Sequence, residues 1–329
     1  MKVASTGVRP DLLRVGEQER ACSPRAVWTS FIWTSRMTTS RWTSPRGRLS
    51  WPLSVGLVVV LTAGLARAAH GQQNAGNQHR NKEADIVITV VYDNNPAGKE
   101  LVADWGFGCV VKGLSKTILF DTGARGGVLL SNMRTLGIDP AEINIVVLSH
   151  IHSDHTGGLG DFLQQNNNVT VFMPAAFPAE FKDRVRQAGA VVVETEKSEG
   201  ICPGAFTTPV LGRAIAEQGL CVETAEGIVL VTGCAHPGIV NMTRAAKEAS
   251  GKPMYAVLGG FHMSGASAEQ VSGVIEALKE MGVRRTGPCH CSGDGTRRMM
   301  EQAFAKDYIE LGVGTQSIFP GLDKGERGE

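Results

Sequence analysis

The chain has 329 residues, enough for one large or two ordinary domains. With 42% hydrophobic and 20% charged residues, its composition supports a packed core and excludes wholesale disorder. A formal net charge of +1 excludes an overall basic chain that holds nucleic acid by its phosphates. The charge is unevenly spread: residues 1–71 carry ten Lys and Arg against three Asp and Glu, and the remainder carries 23 against 29. Trp28, Trp33, Trp42 and Trp51 lie in that first stretch, and only Trp105 lies beyond it.

Residues 1–36 show neither a helical nor a strand period and are read as an upstream extension from a start codon placed too early. Met37 opens a different pattern. Arg41, Arg46 and Arg48 precede an apolar run over 53–66, which ends in Ala66-Arg67-Ala68 and Ala69-His70-Gly71, both small-x-small. Residues 37–71 therefore read as a secretory signal peptide. A single membrane anchor is the alternative, because the charge-free stretch is at the short edge of a spanning helix. Export predicts a periplasmic or secreted protein with no stable membrane span after cleavage. Residues 72–84 read as a flexible polar leader.

From residue 85 onward, short apolar runs alternate with helical patterns. Residues 86–92 alternate and are rich in β-branched side chains, which predicts a strand. Two more strands follow at 107–111 and 117–120, joined by the turn-like Lys112-Gly113-Leu114-Ser115. A short helix is expected over 129–136, and Asp139 before Pro140-Ala141-Glu142 is a helix-start signal. Residues 143–148 read as a fully apolar strand, and strands at 169–173 and 190–193 flank a helix over 178–188. Strands at 220–224 and 228–232 form a hairpin across Ala225-Glu226-Gly227. Helix 239–250, strand 254–258, helix 268–281, strand 284–287 and helix 297–306 follow, and 308–312 closes the order. Strands gather early and interleave with helices later, which predicts two sheets between helical layers. No Pro/Gly linker divides 85–319, so this is read as one domain, with 320–329 a flexible tail.

Three of the eight histidines fall in one window, Ser149-His150-Ile151-His152-Ser153-Asp154-His155-Thr156-Gly157-Gly158, directly after the strand at 143–148. His150 and His152 are two apart and point the same way on an extended chain. Asp154 and His155 follow once the chain turns. One loop thus offers two sets of donors, enough for two cations a few ångströms apart. Neutral imidazole and carboxylate suit Zn²⁺ or a similar borderline metal. No His lies between His155 and His236, so a further imidazole ligand for the His150/His152 cation comes from His236, His262 or His290. No dinucleotide fingerprint, phosphate-binding Walker loop or Gly-x-Ser-x-Gly elbow is present, and the basic clusters are only pairs such as Arg284-Arg285.

His-x-His-x-Asp-His after a strand, with Phe120-Asp121-Thr122-Gly123 upstream, resembles the signature of the metallo-β-lactamase superfamily. Across 85–319 the resemblance implies an α/β fold, the four-layer αββα sandwich, with the metals at the edge between the sheets. Three further motifs resemble a branch of metal-dependent hydrolases that includes dihydropterin synthases of methanopterin assembly. They are Thr232-Gly233-Cys234-Ala235-His236-Pro237-Gly238-Ile239, Gly259-Gly260-Phe261-His262 and Pro288-Cys289-His290-Cys291-Ser292-Gly293. The resemblance implies that His236 joins His150 and His152, and that His290 joins Asp154 and His155. Asp121 resembles the superfamily's structural Asp, whose carboxylate accepts N–H groups to hold the metal loop. His262 is read as a substrate-facing proton donor or phosphate contact, or as a histidine behind the ligands; the small Gly259-Gly260 lets a substrate approach. Many superfamily members carry a bridging Asp where this chain has Cys234. A thiolate there binds or bridges a cation, and a neutral buried thiol leaves the second site more open.

Six cysteines lie beyond Cys22. Cys202 and Cys221 bracket a loop-rich stretch and are candidates to pair in an exported chain. Cys289 and Cys291 flank His290 and, on an extended chain, face away from it as packing residues. The expected function is that of a secreted metallohydrolase acting on a small-molecule ester, lactone, β-lactam or phosphodiester. One or two divalent cations, Zn²⁺ first and Mn²⁺ or Fe²⁺ as alternatives, serve it; Asp154 contacts the attacking water and His262 protonates the leaving group. A dihydropterin-transferring synthase and an iron-dependent redox enzyme on the same scaffold are the rival readings.

Overall fold

The computed structural model describes residues 84–322. The expected upstream extension, the signal peptide, the leader up to residue 83 and the tail from 323 lie outside the described residues. In the first half, β1 (Ile86–Tyr92), β2 (Gly108–Lys112) and β3 (Ile118–Phe120) pair antiparallel in sequence. After α1 (Gly126–Thr135) come β4 (Ile145–Val147), the short helices α2 (Ser153–Thr156) and α3 (Leu159–Gln165), β5 (Thr170–Pro174), α4 (Ala179–Gln187) and β6 (Val191–Thr195). β3 to β6 run parallel. Parallel strands covered on both faces read as unbroken apolar runs, which is why β4 has no polar position.

The second half opens with β7 (Gly200–Cys202), β8 (Ala205–Thr207), β9 (Leu220–Thr224) and β10 (Gly227–Thr232), all antiparallel neighbours. α5 (Ile239–Ser250), β11 (Met254–Gly260), α6 (Ala268–Glu280), β12 (Arg285–Cys289) and α7 (Asp294–Phe304) then alternate, with β10, β11 and β12 parallel. β13 (Gln316–Phe319) returns to the first sheet and pairs antiparallel with β1. The sheet orders are β13-β1-β2-β3-β4-β5-β6 and β12-β11-β10-β9-β8-β7.

Alternation along the strands builds three apolar layers. Val147, Val229 and Leu258 point between the sheets, with Val90, Phe120 and Phe319. Val146 points outward onto Leu129 of α1 and Phe162 of α3, and Leu230 and Val257 point onto Met242 of α5, Val271 of α6 and Met300 of α7. The result is the expected helix–sheet–sheet–helix sandwich. The parallel strands β3, β4, β10, β11 and β12 bring their carboxyl ends to the segments that carry Asp121 and the singled-out histidines, as open α/β sheets place their ligand sites.

Four expectations are corrected. The closing strand is β13, not 308–312. Ile309 and Leu311 instead pack between the sheets, Tyr308 makes only an isolated bridge to Thr286, and a turn through Gly314 leads into β13. The strands β7 and β8 lie in the stretch expected to be loop-rich; three residues each are too few to display a period. Cys202 and Cys221 are both free thiols. Cys202 packs toward the space between the sheets and Cys221 toward the helices, so the second sheet separates them. Gly259 and Gly260 do not make room for a substrate: a Cβ on Gly260 would lie 2.2 Å from Gly233 O and 2.8 Å from Cys291 Sγ. Their smallness serves packing between adjacent strand ends.

Candidate metal centre

Each side chain of the centre leaves the end of a strand. Past β4 the chain runs through Ser149 and His150, then turns at His152 into α2, whose first turn carries Asp154 and His155. Past β10 come Cys234 and His236, past β11 His262, and past β12 His290. Asp121, at the end of β3, is fully buried with φ 53. Its carboxylate accepts hydrogen bonds from Ser149 N and Ser149 Oγ, both at 2.7 Å, and lies 2.8 Å from His155 Nδ1. A Cβ at Gly233 would sit 2.1 Å from Ser149 Oγ, so only glycine lets the end of β10 close over this pair. These contacts anchor the turn of the metal loop to the neighbouring strand.

Two groups of donors emerge. His150, His152 and His236 bring ligand atoms within 4.8 Å of one another, and so do Asp154, His155 and His290. Cys234 forms a further group with His150 and His155, its Sγ lying 3.2 Å from His155 Nε2. Asp154 Oδ2 stands 3.3 Å from His290 Nε2 and 3.7 Å from His155 Nε2. The chemistry of the donors fits a cation. The Nε2 atom of His236 is buried without a hydrogen-bond partner, a costly state unless something accepts its lone pair, and that of His290 has only the Asp154 carboxylate at 3.3 Å. His150 Nε2 faces His152 Nδ1 at 3.1 Å, where at most one proton fits between two basic nitrogens.

The electrostatics points the same way. Burial, followed by the neighbouring imidazoles, holds His150 well below the ordinary histidine value, and burial with His262 and His152 beside it lowers His236 to about 3. Both are therefore neutral, the form that binds a metal. Burial works against the Asp154 carboxylate, but His290 and His155 outweigh it and keep the group ionised well below the usual range. Burial also opposes charge on His155, yet Asp121 overrides it and raises His155 to about 9. A cation on His155 Nε2 must therefore displace a proton.

These directions predict how the metal-free protein responds to pH. From about 6.5 down toward 3, unfolded histidines bind protons that folded His150 and His236 refuse, so stability falls with falling pH. His155 is protonated in both states there and offsets nothing. From 6.5 up to about 9 only folded His155 keeps its proton, so its stabilising contribution is lost as pH rises. In chelator, these histidines are expected to place the maximum of the urea midpoint near pH 6.5, although buried Glu217 and Asp93, both raised by burial, favour the folded state as pH falls and make the acid limb shallower; a midpoint that keeps rising from pH 6.5 to pH 9 contradicts the His155 assignment.

Several residues escaped the sequence. Glu217, fully buried, accepts hydrogen bonds from the backbone N–H groups of Cys234, Ala235 and His236 at 2.9, 2.7 and 2.8 Å. Asn94 Oδ1 lies 2.9 Å from His290 Nδ1 and its Nδ2 donates to His290 O, fixing the ring. Trp105, half-exposed, places its ring 4.9 Å from that of His290. No motif flags them; only Ser149 stood inside a recognised window. Cys291 corrects an expectation. The chain does not stay extended past β12 but turns at His290, φ 50, and Cys291 comes within reach of Cys234 and His262. Cys289 does pack between the sheets as read. His262 is exposed, its ring 4.3 Å from that of His236.

Comparison with known proteins agrees with this architecture. The family profile of the metallo-beta-lactamase superfamily matches residues 110–283. A 7,8-dihydropterin-6-methyl-4-(beta-D-ribofuranosyl)-aminobenzene-5'-phosphate synthase of Methanocaldococcus jannaschii is 31% identical over 247 residues, which cover 61% of this chain and 84% of the relative. Among solved structures, a metal-dependent hydrolase of the beta-lactamase superfamily superposes with TM-score 0.60 at 26% identity, over 70% of this chain and 98% of the other. A metallo-beta-lactamase fold protein of Bacillus subtilis superposes with TM-score 0.53 at 13% identity, over 71% of this chain and all of the other, which speaks for the fold alone. The profile spans more than half of the sequence and the superposed structures share its layers, so the chain belongs to the metallo-beta-lactamase superfamily.

Proposed function

We propose that this chain is a metal-dependent hydrolase of small molecules, with one cation held by His150, His152 and His236 and a second by Asp154, His155 and His290. The observation that carries the reading is the pair of donor groups, each with ligand atoms inside 4.8 Å; the first includes the buried, unpartnered Nε2 of His236, and the second gathers two imidazole nitrogens around the Asp154 carboxylate. Zn²⁺ fits imidazole and carboxylate donors best, with Mn²⁺ or Fe²⁺ as alternatives. A bound divalent cation supplies Lewis acidity, which makes water a stronger acid and draws negative charge from a substrate oxygen.

The chain's own residues do the rest. Asp154, partly exposed and ionised, accepts a hydrogen bond from the attacking water. His262 stands at the open side next to His236 and protonates the leaving group; the Cys291 side chain raises its basicity against the opposing effect of burial. Asp121 and Glu217 hold the ligand-bearing segments still. Esters, lactones, β-lactams and phosphodiesters are the substrate classes this arrangement serves. The signal-like segment at 37–71 supports a periplasmic or secreted setting. Among the described residues no helix is long and apolar enough to cross a membrane.

The test is metal analysis of the purified chain beside a panel of those four substrate classes. His152→Ala and His290→Ala are each expected to lower activity by at least about 10–100-fold and to reduce bound metal, with the fold retained. Full activity in a metal-depleted His152→Ala protein would sink the reading. The relative from Methanocaldococcus jannaschii supports a second reading, a dihydropterin-transferring synthase on the same centre. Product formation from a dihydropterin and a ribosyl-aminobenzene phosphate, with no turnover across the hydrolysis panel, would favour it.

A further inference from the structure

Of the six cysteines among the described residues, four pack in or against hydrophobic clusters: Cys109, Cys202 and Cys289 toward the inner core and Cys221 under the helices. Cys234 and Cys291 belong to no such cluster. Both are nearly buried, at 4% and 6% exposure, and both thiols are free. Their surroundings are polar: Cys234 Sγ lies 3.2 Å from His155 Nε2, and Cys291 Sγ lies 3.7 Å from Cys234 O. His262 completes the group, its ligand nitrogen and the two sulfurs all within 4.8 Å of one another. The three residues follow β10, β11 and β12, adjacent strands of one sheet, so the topology itself stacks them. The bare backbone at Gly260 makes room for Cys291, because a Cβ there would fall 2.8 Å from its Sγ.

A buried small hydrophobe accounts for a cysteine in hydrocarbon, but not for two thiols facing each other and an imidazole. Two sulfurs and one imidazole nitrogen are the donor set of a thiophilic cation. We propose that Cys234, His262 and Cys291 form a third cation site, selective for a soft ion, beside the two histidine–aspartate groups. His262 is the exposed member and gives the ion its way in from solvent. Filling the site takes a lone pair of His262 out of proton exchange, so the soft-ion state and the hydrolytic state exclude each other. The inference rests on the metal-centre reading only through Cys234, which borders the His150 and His155 donors; Cys291 and His262 belong to neither group.

Cobalt(II) titration of the full chain, under a non-thiol reductant, tests it. The wild type is expected to take up a third equivalent together with a near-ultraviolet sulfur-to-cobalt charge-transfer band. Cys291→Ser should stop at two equivalents, and the band that accompanies the third equivalent should be lost with it. Two equivalents in the wild type without a sulfur band, or a band unchanged in Cys291→Ser, overturn the third site and leave the hydrolase reading standing. No cobalt uptake at all overturns that reading as well. If Cys291→Ser does not fold by circular dichroism, ¹¹³Cd resonance of the wild type decides: a signal in the range of two-sulfur ligation supports the site, and its absence overturns it.

Discussion

Asp121→Ala is expected to destabilise the metal-free protein by about 3–5 kcal/mol and to weaken divalent-cation binding by at least about tenfold. The carboxylate is fully buried and has three partners, Ser149 N, Ser149 Oγ and His155 Nδ1, all within 2.8 Å. Alanine would leave buried donors unpaired and, more costly, a buried imidazolium without its counter-charge. Removing one member of a buried pair costs far more than the pair contributes as a unit, because the other charge remains in a low-dielectric setting. Against a typical total stability of about 5–15 kcal/mol, this is a large share. Asp121→Asn separates the two effects. It keeps an acceptor for Ser149 N but removes the charge that raises His155 to about 9. The His155 ring, followed by NMR in chelator, should then titrate well below about 9, since burial opposes its charge and only Asp154 and Glu217 remain to favour it. Urea midpoints equal to wild type in both variants would show that the β3–β4 anchor does not hold the metal loop.

Much of this was legible because the informative signals are local. The run Ile145-Val146-Val147 is apolar throughout since its strand is covered on both faces, and the same coverage places its carboxyl end at the site. His150, His152, Asp154 and His155 sit in one short window because a single turn after that strand aims all four inward. His236 and His290 were found through motif resemblance. They come from strands of the opposite sheet, and no spacing rule relates residues that meet only through the sandwich. The pairing proposed between Cys202 and Cys221 failed for the mirror-image reason. They are near in sequence, but strand alternation sends them to opposite faces of one sheet. An extended chain through His290 would turn Cys291 away from the site, but the backbone there takes φ 50 and reverses the side chain. Glu217 had no signal at all: one acidic residue in an irregular segment looks like solvated surface until the fold buries it.

Glu217 carries the second large effect. Residues 217 and 218 tie the two sheets together at the site. Glu217 accepts from the three N–H groups that follow β10, while Gln218 N donates to Ser149 O and Gln218 Nε2 to Leu148 O, both at 3.0 Å, beyond β4. This clamp sets the separation between His150 and His152 on one side and His236 on the other. It also holds Ala235 at φ 59, a conformation that an unsupported alanine avoids. Glu217→Ala orphans three backbone donors, two of them buried and the third, His236 N, partly buried. At about 1–3 kcal/mol for each unsatisfied group, the expected loss is about 3 kcal/mol or more, with water entering the loop as the main relief. Glu217→Gln keeps one accepting oxygen but turns an amide N–H toward a backbone N–H, so it should fall between alanine and wild type. The cation sites should respond unequally. The segment that Glu217 holds carries His236 but neither Asp154 nor His290, so the His150/His152/His236 site should weaken more than its neighbour. Stepwise calorimetric titration of zinc into Glu217→Ala reads this directly, with one binding step weakened and the other close to wild type. Equal weakening of both steps, or an unchanged urea midpoint, would mean that the end of β10 holds its shape without the clamp.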